Sequence, residues 1–192
     1  MSTLGKLLFC VVATLVLAGV VHLSAILAIP ALAERDAYSR LSRGLDSDNA
    51  ELIASGGEST WLPYPDPAVS VSACIYDLAQ GPVRVSTQVA GLFQSLSLHS
   101  RRGIFFAVTD RAAVRGSLEV VVMTGEQHAQ AVAEEDEPSS DVRVVSPTPT
   151  GLVVVRLLAA TPSQKPEADA RARAVTCAPD EPAAEAPATV SP

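Results

Sequence analysis

Residues 7–33 read LLFCVVATLVLAGVVHLSAILAIPALA, 27 consecutive positions without a formal charge, rich in Leu, Val, Ile and Ala. At about 1.5 Å per residue a helix over this run exceeds the roughly 30 Å hydrocarbon layer of a bilayer, even when tilted. A helix also satisfies every backbone N–H inside lipid, as a spanning segment must. Lys6 precedes the run and Pro30 marks its exit. A cleaved signal peptide is the competing reading, because Ala31-Leu32-Ala33 has the small-x-small form of a cleavage site. The apolar stretch is much longer than the roughly 7–15 residues of a signal core, which favours a retained signal-anchor. Under either reading, the chain beyond residue 33 is exported.

Composition changes beyond this segment. Of 192 residues, 48% are hydrophobic and the mean hydropathy is +0.27, but the excess sits in the first 33 positions and the remainder is ordinary for a soluble domain. That length accommodates one domain with appendages. The net charge of −7 comes largely from an acidic stretch (Glu126, Glu134, Glu135, Asp136, Glu137, Asp141) and a tail with Asp180, Glu181 and Glu185. Nucleic acid is disfavoured as a partner, since phosphate binding needs clustered Lys and Arg.

Arg35, Arg40 and Arg43 follow the helix closely, so the positive-inside count does not orient it, and the cysteines carry that argument instead. Cys10 lies within the apolar run and reads as inert. Cys74 and Cys177 remain, and two cysteines in an exported domain are most simply a disulfide; two unpaired buried thiols are the alternative. A loop of about 100 residues closed this way is worth up to roughly 4.7 kcal/mol in the chain-entropy model. His22, the one titratable side chain in the span, could mark a proton path. A single helix offers no second helix to complete one, so a neutral His facing a helix partner or lipid is preferred.

The chain divides by composition into an anchor at 1–33, a juxtamembrane segment and linker at 34–67, an exported β-rich domain at 68–177 and a disordered tail at 178–192. Residues 33–41 can continue helically, with Tyr38 at the membrane interface. From Ser42 to Pro67 the chain turns to Gly, Ser, Asp, Asn and Pro, and Trp61 and Tyr64 are expected to pack on the domain. Strands are expected near 68–76, 83–89, 104–109, 118–124, 142–145 and 152–159, with turns at Gly81-Pro82 and Arg115-Gly116. The run Val153-Val154-Val155 predicts a strand covered on both faces or lying on a dimer surface. Thr124 and Gln127 have capping-box spacing, which predicts a short helix over 125–135, and a C-terminal helix is expected within 161–176, docked on the sheet by the disulfide.

Several phrases together carry a family resemblance: Val21-His22, Ala28-Ile29-Pro30 and Asp36-Ala37-Tyr38, then Ala73-Cys74-Ile75-Tyr76-Asp77-Leu78 with Gly81-Pro82-Val83-Arg84-Val85, then Phe106-Ala107-Val108-Thr109-Asp110-Arg111. The chain resembles, up to about Cys177, the bacterial membrane proteins grouped as domain of unknown function 1254. The resemblance implies a single-pass inner-membrane protein of a Gram-negative cell, in a family some of whose members are paired with a second uncharacterised domain. It brings no catalytic residue with it.

No catalytic, cofactor or metal constellation is read from the residues. Cys74 with His99 could form a nucleophile pair, but a structural disulfide beside a turn Asp77 is preferred. Arg101 and Arg102, after His99-Ser100, are the candidate anion or ligand contact, since adjacent Arg side chains can bind phosphate or a lipid headgroup; a solvated loop is the plainer reading. Asp110, Arg111 and Arg115 could line a pocket or simply hold a turn. His128 beside Glu126 and Glu135 lacks the His/Cys clustering of a zinc site. The expected fold class is α+β, mainly β: one N-terminal transmembrane helix, then a single small β-rich domain with a C-terminal helix. The expected function is a non-enzymatic envelope module that engages a protein partner on the periplasmic face. A small-molecule or lipid-binding module is the alternative.

Overall fold

The computed structural model describes residues 2–32, 37–45, 49–54, 65–89, 91–101, 103–134 and 142–180. Two compact units, 1–39 and 40–192, are each described by themselves. Helix α1 (Thr3–Leu32) fills most of the first. From Leu4 to Ile29 its large apolar side chains are exposed. Thr3–Ile29 is long and apolar enough to cross a membrane. Thr14, the hydroxyl residue in the middle of this stretch, returns its Oγ1 proton to the Cys10 carbonyl at 2.8 Å. A short helix α2 (Ala37–Leu41) follows.

The second unit is built on two sheets. In chain order its strands are β1 (Glu51–Ala54), β2 (Val69–Asp77), β3 (Val83–Gln88), β4 (Gln94–Ser100), β5 (Gly103–Thr109), β6 (Ser117–Met123), β7 (Arg143–Val145), β8 (Thr150–Leu158) and β9 (Thr176–Pro179), with helices α3 (Gly125–Glu134) and α4 (Lys165–Arg173) between them. One sheet has the order β1-β2-β8-β4-β5, the other β7-β6-β3-β9. Among the described residues only the β6–β7 pairing is parallel. The architecture is thus α+β and mainly β, with a long apolar helix ahead of a two-sheet domain and a helix near its C-terminal end.

Period-two alternation builds the core. Cys74 stands opposite Val153 between β2 and β8, and Leu96 and Leu98 stand opposite Val155 and Val153 between β4 and β8. These side chains share one cluster with Val85 of β3 and Val120 and Val122 of β6. Each such buried side chain contributes about 1.5–3 kcal/mol. Val153, Val154 and Val155 are all buried, so β8 is covered on both faces, as its unbroken run predicts. Cys74 of β2 and Cys177 of β9 are bonded, joining the two sheets across 103 residues.

Three strands exceed the sequence expectation. β1 lies in the stretch read as linker, and β4 in one to which no strand is assigned, its last two residues being read as loop. The Ser-rich alternation QSLSLHS hides β4, because its inward positions are only Gln94, Leu96 and Leu98. Buried Gln94 is tolerated there by donating Nε2–H to Thr87 Oγ1 at 2.7 Å. β9 follows α4, running past the expected end of the domain at 177, and it pairs with β3. Trp61, Tyr64 and residues 181–192 of the expected tail lie outside the described residues.

The local signals are realised. Thr124 Oγ1 accepts the Gln127 N–H at 3.1 Å and Gln127 Oε1 accepts the Thr124 N–H at 2.8 Å, a reciprocal cap on α3. Arg115 (φ 53°) and Gly116 (φ 81°) are both left-handed between Val114 and Ser117, whose backbones exchange two hydrogen bonds, a primed hairpin turn. Helix α4 presents Ala168 and Ala172 to the core and packs on β2, β8 and β1.

Candidate functional site

Arg101 is exposed in the turn between β4 and β5, and Arg102 lies outside the described residues. Among the described residues a charged cluster lies on the outward face of the five-stranded sheet, around a Ser97 only 5% exposed. Its Oγ donates to the Val154 carbonyl at 3.2 Å. That uses its one proton. It accepts from Arg156 Nη1 at 3.2 Å and is hydrogen-bonded to His99 Nε2 at 3.0 Å. Burial, and then the Arg156 guanidinium, push the His99 pKa below its usual value near 6.5.

A pH dependence results from that direction. Between the depressed folded value and about 6.5 the unfolded chain binds more protons at His99 than the folded chain does, so acid favours unfolding. This contribution is complete above about 6.5 and is lost as pH falls through the folded value. Urea midpoints measured from pH 8 downward should therefore show a decline beginning near pH 6.5 that is shallower in His99→Gln.

Cys74 is consumed by its disulfide, so it forms no nucleophile pair with His99. A different cluster resembles a nucleophile with its base. Lys165 Nζ donates to Ser70 Oγ at 2.9 Å and to Asp169 Oδ1 at 2.7 Å, and Ser70 Oγ donates to Asp169 Oδ1 at 2.6 Å. Ser70 is fully buried. An activated serine needs a route for substrate, which this burial denies it, and the trio docks α4 on β2. Sequence reading misses it because Ser70 and Lys165 are distant in the chain. Asp110 opens a 3-10 turn after β5, its buried Oδ1 without a hydrogen-bond partner among the described residues, and Arg115 occupies its hairpin turn. Among the described residues no three His, Cys, Asp or Glu side chains gather around His128 or elsewhere.

The feature of greatest reach is β5. Its residues, Gly-Ile-Phe-Phe-Ala-Val-Thr, carry no charge and include no proline. Among the described residues it pairs only with β4 and forms one edge of the sheet. The register passes from Leu98–Phe106 to His99–Ile104, so Phe105 is an extra residue, a bulge. The regular stretch beyond the bulge is Phe106–Thr109. Ile104 is 62% exposed and Ala107 is exposed as well, while Phe105, Phe106 and Val108 are only partly buried against the core. Natural edges are usually blunted by a central charge, a proline or a bulge, and this one has only the bulge.

These features define a class: a small two-sheet β domain, closed by one inter-sheet disulfide, behind an apolar helix. A family described as protein of unknown function (DUF1254) matches residues 51–179, and the chain belongs to that family. Those limits coincide with the first residue of β1 and the last of β9. No curated protein matches the chain. Among solved structures it is similar to the VPA0106 protein of Vibrio parahaemolyticus, at 13% identity and a TM-score of 0.47, over 59% of this chain and 28% of that one. It is also similar to an uncharacterised protein of Burkholderia cenocepacia, at 15% identity and a TM-score of 0.41, over 65% of this chain and 34% of that one. The matched region thus spans about a third of each of those longer chains.

Proposed function

We propose that this chain is a membrane-anchored envelope protein of the bacterial inner membrane whose domain stands in the periplasm and works as a non-enzymatic protein-interaction module. The observation that carries the reading is β5, an edge strand with seven uncharged residues in succession. Strand addition to such an edge supplies backbone hydrogen bonds for affinity and alternate side-chain contacts for specificity. Helix α1 supports the anchor, and the inter-sheet disulfide supports an oxidising compartment.

Hydrogen exchange on the full chain in its membranes tests this. The N–H groups of 106–109 that face away from β4 should exchange at least tenfold more slowly than in Ala107→Lys, which places a charge on the edge and leaves the core untouched. Equal, fast exchange in both proteins would remove the proposal.

A further inference from the structure

We infer that the strand added to β5 belongs to a second copy of this chain, so that two anchored copies pair edge to edge; this rests on β5 being the interaction edge. Three observations single out a second copy. The first is self-complementarity. In an antiparallel β5–β5 pair centred on Phe106 or Ala107, residues 105–109 meet only uncharged residues of the other copy, while Arg101, Asp110 and Arg111 flank the ladder and no charge is buried in it. A chain of net charge −7 repels its own kind over much of its surface, and this edge is neutral.

The second observation lies in α1. A shallow groove along it is lined by Thr14, Leu17, Ala18, Val21, His22 and Ala25. Thr14, Ala18 and Ala25 are small, so this face permits close approach of another helix. His22 is exposed on this apolar helix and makes no hydrogen bond to the described residues. A polar ring in hydrocarbon seeks a partner, and a neutral imidazole offers one donor and one acceptor, so two copies of His22 can satisfy each other.

The third is size. A strand pair of four to seven residues buries less than the roughly 1,200 Å² at which stable interfaces between free proteins begin. Copies confined to one membrane meet at a raised effective concentration, which makes so small a contact sufficient. A soluble partner would not share that advantage.

The test uses full-length protein in the membranes of the cells that make it, in a Cys10→Ser background so that no other thiol is free. With Cys placed at Ala107, the paired thiols stand within about 8 Å in either register, since a strand advances about 3.4 Å per residue and neighbouring strands lie about 4.8 Å apart. A short bifunctional thiol reagent should convert most of the protein to a covalent dimer. Ile104→Lys in the same chain should lower the yield at least fivefold, and Ala18→Phe, which fills the helix groove, should lower it as well. Val132→Cys, exposed on α3, should give no dimer. The inference is overturned if the Ala107→Cys protein reacts with a monofunctional thiol reagent and keeps its disulfide yet gives no dimer. Equal yields from Ala107→Cys and Val132→Cys would overturn it too. A cross-link from Ala107→Cys to a different protein would overturn the homotypic pairing and leave the interaction edge standing.

Discussion

Replacing Cys74 and Cys177 together with Ala should lower the stability of the detergent-extracted chain by about 2–5 kcal/mol, the usual cost of losing a native disulfide in a small domain. The upper end applies here for two reasons. The bond closes a loop of 103 residues, for which the loss of unfolded-chain entropy alone approaches about 4.7 kcal/mol. Both half-cystines are also fully buried in the cluster shared by the two sheets. The bond further fixes β9, a four-residue edge strand held otherwise by its ladder with β3. Urea unfolding of the wild type with and without reductant, beside the double variant, checks this. Reduced wild type and variant should share a midpoint well below that of the oxidised protein, and a loss under about 1 kcal/mol would contradict the stapling role.

Gly151→Ala should cost about 2–4 kcal/mol, an unusual penalty for a single methyl. A Cβ built at Gly151 would collide with the Tyr76 hydroxyl and with the His99 carbonyl. Tyr76 is almost fully buried and cannot swing outward, and its Oη is hydrogen-bonded to Ser146 Oγ at 3.0 Å. Relieving the clash therefore displaces a packed ring and strands a buried hydroxyl, two penalties of about 1–3 kcal/mol each that overlap in part. Adding Tyr76→Phe should return some of the loss, because the hydroxyl is one of three atoms in the way. The ring Cζ remains in phenylalanine and the His99 carbonyl belongs to backbone, so rescue stays incomplete. A double-mutant cycle gives the coupling directly, and additive losses would refute the shared contact.

What the sequence discloses depends on how local the determining signal is. The apolar run at 7–33, the Val153–Val155 core strand, the Thr124/Gln127 cap and the Arg115-Gly116 turn are each set by neighbours a few residues apart, and each is legible. β4 is not, because it meets its alternation with serine and glutamine, and only packing reveals that Leu96 and Leu98 face a core. β1 and β9 are four residues each, too short for periodicity to distinguish them from loop. The charged centre is harder still. Arg101 and Arg102 stand out by being adjacent, whereas the guanidinium that bears on His99 comes from Arg156 on β8, brought beside β4 by strand order alone. The uncharged composition of 103–109 is plain in the sequence, but its position at an edge belongs to the topology.

The proposals share one premise: α1 stays attached and holds the β domain outside the cytoplasm, where its thiols oxidise. Peptide mapping under non-reducing conditions, on protein extracted from the membrane fraction with thiols blocked at lysis, tests this most directly. The Cys74 and Cys177 peptides should be recovered as one linked species, from molecules that still contain residues 3–29. A soluble protein lacking the N-terminal peptide, or one carrying both thiols free, would contradict a tethered domain beyond the membrane.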